Sequence, residues 1–263
     1  MQADYARQYR ALWERHWWWR SREALVLALI ARLTRPVFPA RILDVGCGDG
    51  LFFEKLAAFG RVDGLEPDPT LVSDPRWRPR IRVGRLDGEF RGTHDYDVLL
   101  MLDVLEHIAD DGAALAAARS ALRPGGALLI TVPALRWLWS RHDEANAHHR
   151  RYGLRELRSR LTEAGFVVES IRYFFCWTVL PLLVRRGLSP AGGQTDGYAV
   201  AIPPGPVNRA LEALSRCEHA AGRLISWPVG SSLLAVARNP ARSEEAGERG
   251  SPAISAAHVV GVS

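Results

Sequence analysis

The densest chemistry in the chain is ILDVGCGDG, Ile42–Gly50, where an apolar run ends in Asp44 and glycines stand at 46, 48 and 50 directly before a helical pattern. Glycine in a strand-to-helix turn tolerates positive φ and lets a ligand reach the backbone with no Cβ in the way. A dinucleotide loop spaces its glycines GxGxxG and seats a pyrophosphate on the following helix, whereas here the glycines of DxGxGxG are one residue tighter. Asp44 would repel a pyrophosphate and suits a ligand with a cationic amino group. Further on, Glu66 closes the run VDGLE, where an acid can accept both hydroxyls of a ribose, and Pro67 turns the chain away. Asp87, in VGRLDGEF, is placed to accept from the exocyclic amine of an adenine, with the backbone near Leu86 as a donor to the ring, or else caps a turn.

These residues need a scaffold, and from Arg41 onward strand and helix signals alternate as in a parallel sheet wrapped by helices. The strands expected are Arg41–Val45, Arg61–Glu66, Ile81–Val83, Asp97–Leu102, Ala127–Val132 and Phe166–Tyr173, with a last one in Ser231–Pro240. Helices are expected at Leu51–Phe59, Asp110–Leu122, Leu154–Ala164 and Val207–Ile225, with a turn near Thr70–Ser73. Residues 1–39 read as an N-terminal helical arm or lid, one bent helix or two, crowded by Trp13, Trp17, Trp18 and Trp19. Those indoles either pack the arm onto the core or line a pocket or a membrane interface. The domain proper spans 40–240 with an insertion at about 174–230, and the polar stretch 241–263 reads as a disordered tail.

Taken in order, DVGCGDG, Glu66, the segment YDVLLMLDVLEHI, the turn LRPGG and the strand ALLITVP resemble the class I S-adenosylmethionine-dependent methyltransferases over roughly residues 40–175. The resemblance implies an α/β, Rossmann-like, seven-stranded and mostly parallel sheet, its last strand antiparallel, with S-adenosyl-L-methionine over the carboxyl ends of strands one to four. It places the cofactor loop on Gly46, Cys47 and Gly48, the ribose acid on Glu66, the adenine acid on Asp87 and a backbone contact on Leu102. LDVLEH is similar to the corresponding segment of ubiquinone-type O-methyltransferases and other small-molecule members.

Methyl transfer of that kind is an in-line displacement, and an acceptor of high pKa needs a base. His107, which follows the fourth strand with Asp103 and Glu106, is one candidate, or else caps and packs the next helix. The others lie in RWLWSRHDEANAHHRRY, Arg136–Tyr152, expected to overhang the acceptor. There His142 and His148 serve as bases, bind a metal with Asp143, or are structural, while Arg150 and Arg151 can grip an anionic group of the acceptor. We assign no metal from the sequence. Cys47, Cys176 and Cys217 lie far apart with no CxxC spacing, which also fits a reducing compartment.

The 263 residues carry 34 basic against 29 acidic side chains, a net charge of +5 that would suggest an anionic partner. All the basic residues but Lys55 are arginine, dispersed along the chain, and no aromatic stripe gathers them, so nucleic acid is disfavoured. No apolar run is long enough to span a bilayer, and the charged N-terminus is unlike a signal peptide, so a cytoplasmic protein is expected. FFCWTVLPLLV with Arg185 and Arg186 forms a pocket wall or a homodimer face in preference to a peripheral contact with the inner membrane face. The leading expectation is methylation, preferably on oxygen, of a small-molecule or lipid-like acceptor. A nicotinamide-dependent oxidoreductase and a non-catalytic binding protein of the same fold are the alternatives.

Overall fold

A computed structural model describes residues 10–87, 90, 94–188 and 201–241, with the backbone alone at 185–188. The tail and most of the loop expected at Ser189–Pro206 lie outside the described residues, as do the side chains of Arg185 and Arg186. Seven strands form one sheet in the order β3-β2-β1-β4-β5-β7-β6. They are β1 (Ala40–Val45), β2 (Gly60–Glu66), β3 (Ile81–Val83), β4 (Tyr96–Leu102), β5 (Leu122–Pro133), β6 (Val167–Phe174) and β7 (Ser232–Arg238). All pairings are parallel except those of β7, which runs antiparallel to both β5 and β6.

The inner strands β4, β5 and β7 carry long apolar runs because both faces of the sheet are covered there. Leu99, Met101, Leu128 and Ile130 point to one side, under α3 (Asp111–Ala121) and α5 (Leu154–Glu163). Val98, Leu100 and Leu129 point to the other, where α1 (Trp17–Thr34) contributes Leu25, Val26, Ile30 and Leu33, and α2 (Phe53–Leu56) contributes Phe53 and Leu56. The C-terminal half of the arm is therefore a layer of the core. Its start is set by His16, whose Nδ1 accepts from the Trp18 amide at 3.1 Å and separates α1 from a short helical segment at residues 10–15. The helix expected over Leu51–Phe59 shrinks to the single turn of α2, since Gly60, at φ +151, must enter β2 hard against β1. A Cβ on Gly60 would stand 2.0 Å from the Ala40 carbonyl oxygen.

The remaining helices are α4 (Arg141–Ala145) after β5, and α6 (Val179–Leu188) and α7 (Gly205–Ala221) within the insertion. Insertion and arm hold each other. Trp17 and Trp18 pack on Phe175 with ring centroids 5.7 and 5.5 Å apart, and Trp17 lies 5.1 Å from Trp177. Asn208 of α7 accepts from the Trp17 amide at 2.9 Å and donates to the Arg15 carbonyl at 2.8 Å, while Arg20 pairs with Glu212 at 2.8 Å. Of the apolar run, Phe174, Phe175 and Val179 are buried, but Leu180, Leu182, Leu183 and Val184 remain exposed, so the run walls the arm with one face only. Among the described residues no helix is long and apolar enough to cross a membrane.

Asn208 makes its two bonds across the seam between arm and insertion, so Asn208→Ala is expected to lower stability by about 1–2 kcal/mol. The shift should appear in the urea midpoint with an unchanged denaturant slope.

Candidate active site

The order β3-β2-β1-β4 reverses between β1 and β4, and the crevice beyond the carboxyl ends of the strands at such a reversal is where open parallel sheets bind ligands. Gly46, Gly48 and Gly50 leave β1 at φ values of +69, +54 and +70, all in the left-handed region. A Cβ on Gly46 would sit 2.7 Å from Val104, whereas one on Gly48 would meet no atom within 4 Å, so Gly48 marks the open side of the loop. Glu66, at the end of β2, is buried. It accepts from the Gly48 amide at 2.8 Å and from the Asp68 amide at 3.0 Å, one on each oxygen, and each oxygen keeps a lone pair for a further donor. Cys47 lies against Gly64 beneath the loop, and burial drives its thiol far above the usual range, so it offers a ligand its backbone, not a thiolate. Asp44 is buried at the end of β1. Burial pushes its carboxyl up to about 7, with Glu66 adding to the rise and Arg22 opposing it.

Arg22 is the site residue that sequence reasoning missed. Buried on α1, it pairs with Asp103 just past β4, and its guanidinium lies 4.7 Å from the Trp18 ring and 5.8 Å from the Trp13 ring. Asp103 adopts φ +56 and is fixed by Thr131, whose hydroxyl donates to its carboxylate at 3.0 Å and whose carbonyl accepts from its amide at 2.9 Å. A usable signal was present, since Arg22 occurs at helical spacing with Trp18, Leu25 and Val26 on what is otherwise an apolar face. Leu102 closes β4 opposite Thr131 and is half-buried. Asp87 is half-buried beyond β3, its carbonyl accepting from the Phe90 amide at 3.0 Å.

A second grouping joins the segments after β4 and β5. Asp143 on α4 is fully buried and accepts from the Ser140 amide at 2.8 Å and from Arg151 Nε at 2.8 Å; its Oδ1 also lies 2.9 Å from His148 Nδ1. Burial pushes its carboxyl up, but the bonds to His148 and Arg151 outweigh that and hold it well below the usual range. The His148 ring meets the His107 ring edge-on at 4.6 Å, and the His149 amide donates to the Glu106 carbonyl at 2.8 Å, binding the two segments together. Glu106 has no exposed surface and its two carboxylate oxygens have no hydrogen-bond partner; burial pushes it up to about 8.

His142 stands apart from this cluster. Its ring is 6.5 Å from that of His148 and lies beside the Asn146 side chain. The grouping of His142, His148 and Asp143 expected from the sequence is thus replaced by Glu106, His107 and His148, with Asp143 behind. Arg150 and Arg151 also differ from expectation. Arg150 pairs with Asp111 at 2.9 Å and donates to the Ala109 carbonyl, while Arg151 holds Asp143 and the Ala134 carbonyl, so both forks serve internal acceptors.

An acidic row with one buried guanidinium, beside a loop whose open side a Cβ would fill, fits a ligand carrying a sugar and a zwitterionic amino-acid end. Comparison with known proteins agrees. A ubiquinone biosynthesis O-methyltransferase of Azorhizobium caulinodans is 35% identical over 109 residues, covering 38% of this chain and 43% of that protein. The chain thus aligns with less than half the length of the curated relatives it matches. A chain from the complex between the Haloferax volcanii Trm112 methyltransferase activator and a methyltransferase superposes with a TM-score of 0.57 at 18% identity, covering 90% of this chain and 95% of that one. Geranyl diphosphate methyltransferase, solved with SAM, does so with a TM-score of 0.52 at 16% identity, covering 81% and 85%. At such identities the two structures speak for the fold. The family described as a methyltransferase domain matches residues 18–171, more than half of the chain, from within α1 to the middle of β6, and the chain belongs to that family of S-adenosylmethionine-dependent methyltransferases.

Proposed function

We propose that the chain methylates an oxygen of a small or lipid-like acceptor, with S-adenosylmethionine bound across the ends of β1, β2 and β4. The observation that carries this reading is the row of Asp44, Glu66 and Asp103 with Arg22 buried among them. In it, Glu66 takes the ribose hydroxyls on the lone pairs left over from the Gly48 and Asp68 amides. Asp44 faces the cationic amino group, and Arg22 supplies the countercharge for a carboxylate. Asp87, Leu102 and the backbone of Gly46–Gly48 line the adenine and sulfur sides. S-adenosylmethionine held there would supply a sulfonium methyl for displacement by the acceptor oxygen, with sulfur as the leaving group.

The acceptor lies against His107 and His148, which are held by the segments after β4 and β5 and serve to bring its hydroxyl toward the anion. His142, farther out on α4, acts on binding. Two things favour an oxygen acceptor with an apolar body. The curated relatives are named ubiquinone biosynthesis O-methyltransferases, and α6, within the insertion, leaves Leu180, Leu182, Leu183 and Val184 exposed. Incubation with methyl-labelled cofactor and phenols with or without a prenyl tail should yield a labelled aryl methyl ether. Label recovered only on nitrogen or carbon would refute the oxygen assignment.

Gly48→Val places a branched side chain at φ +54 on the open side of the loop, and Glu66→Ala removes the ribose acceptor. Each should weaken S-adenosylhomocysteine binding by at least about tenfold in a calorimetric titration, equivalent to about 1.4 kcal/mol. Unchanged affinity in both variants would dismiss the loop assignment.

The pH dependence of binding follows from Asp44. Below about 7 the free protein holds a proton on this carboxyl, which binding of a cationic amine must expel. S-adenosylhomocysteine affinity should therefore rise with pH, by up to about tenfold per unit, and level off above about 7. Asp44→Asn should flatten the profile, and a wild-type profile without slope would contradict the role given to Asp44.

A further inference from the structure

Away from the crevice, the C-terminal half of α7 buries two adjacent titratable residues, Glu218 and His219, at 8% and 9% exposure. Glu218 Oε2 accepts from the amides of Cys176 and Trp177 at 2.8 and 3.2 Å, and Ser215, one turn earlier, accepts from Trp177 Nε1 at 3.2 Å. His219 is wedged against the rings of Phe174 and Phe175, with centroids 5.9 and 5.3 Å away. These contacts anchor the C-terminal end of a helix whose N-terminal half holds the arm through Asn208 and Glu212. We propose that the His219 cluster is an acid-released latch: neutral His219 docks α7 on the segment after β6, and a proton on its ring sets that end of the helix free.

The latch depends on what His219 can accept. Glu218 Oε1, His219 Nε2 and Trp227 Nε1 are buried with no hydrogen-bond partner among the described residues. All three residues line one cavity of about 10 Å³, room for about one water molecule. A water there can donate to Glu218 Oε1 and to a bare His219 Nε2 while it accepts from the Trp227 N–H, which answers every one of these atoms. A protonated imidazole carries hydrogen on both ring nitrogens and has no lone pair to offer, so the arrangement fails.

Charge opposes the proton as well. Arg172, which lines the same cavity and donates to the Gly222 carbonyl at 3.1 Å, faces His219 from β6, and Arg216 acts on it from α7 itself. Arg32 of α1 and Arg223 beyond α7 add like charge around Arg172. Among the described residues Glu218 is the one carboxylate lining the cavity, and two amides already engage it. Tyr173 and, from α1, Leu25 complete the wall, while the Cys176 thiol beside Glu218 is pushed up to about 12 by burial and stays uncharged. Burial first, then Arg172 and Arg216, lower His219 to about 4. Once released, the imidazole returns to its ordinary value near 6.5, so the open form binds more protons than the docked form between about 4 and about 6.5. Docking is therefore strongest above about 6.5, weakens as pH falls and levels off below about 4.

Hydrogen exchange at the Cys176 and Trp177 amides reads the latch, since Glu218 protects both only while α7 is docked. The full chain, without cofactor or acceptor, is followed by nuclear magnetic resonance, each rate being divided by that amide's intrinsic rate at the same pH. Protection of the two amides should fall by about 30-fold from pH about 6.5 to about 4.5, while the amides of Leu99 and Leu100 at the centre of the sheet keep theirs. His219→Phe, which keeps a ring and cannot be charged, should flatten this dependence. The imidazole resonances of His219 in the wild-type chain give a check free of substitution, with a midpoint expected at about 4. A midpoint at or above about 6, the range of an unperturbed histidine, overturns the proposal. So does a flat wild-type profile, a slope that survives in His219→Phe, or a loss of protection shared with Leu99 and Leu100. The latch is independent of the methyl-transfer reading, because each of these outcomes is measured without cofactor.

Discussion

The crevice beyond the carboxyl ends of β1 and β4 is organised around one buried cation. Taking a guanidinium out of water costs several kcal/mol unless partners surround it, and Arg22 meets that demand with Asp103 directly, with two indoles on its faces, and with Asp44 and Glu106 through space. Because it rides on α1 beside Leu25 and Val26, which pack against the sheet, Arg22 ties the arm to the ends of β1 and β4. Asp103 can keep a left-handed backbone that a non-glycine residue seldom adopts because Arg22 and Thr131 hold it from two sides.

A different carboxylate performs the same service after β5. Asp143 caps its own helix through Ser140, takes His148 and holds Arg151, which in turn reaches back to the Ala134 carbonyl at the end of the strand. Tyr152 continues the tie by bridging to Ala134 and donating to Asp111 at 3.0 Å. A segment rich in charge is thereby tied to the end of the strand it leaves, which holds His148 against Asp143 and His107.

What was legible in the sequence was local or periodic. The glycine loop, Glu66 and the strands announce themselves because a left-handed turn needs glycine and a strand covered on both faces needs an unbroken apolar run. Arg22 was hidden by composition: in a chain whose basic residues are nearly all arginine, one more arginine carries no signal until burial is known. Glu106 stands in the sequence among three candidate groups after the fourth strand, but only the fold shows that its carboxylate is fully buried with no hydrogen-bond partner. His148 was matched with His142 because they are close in sequence, but the fold sets it against His107, forty-one residues earlier. Arg150 and Arg151, expected to grip an anionic group of the acceptor, are spent on internal carboxylates that only the folded chain brings near.

Arginine in place of lysine has one practical consequence. The sole lysine, Lys55 on α2, forms an ion pair with Glu23 of α1, so it sits on the seam along which the arm meets the domain. Apart from an amino terminus, an amine-directed reagent finds a single target among these 263 residues, and that target lies at this joint. Mass spectrometry of a brief acylation would therefore read the opening of the joint as the modification of one side chain, with no engineered label.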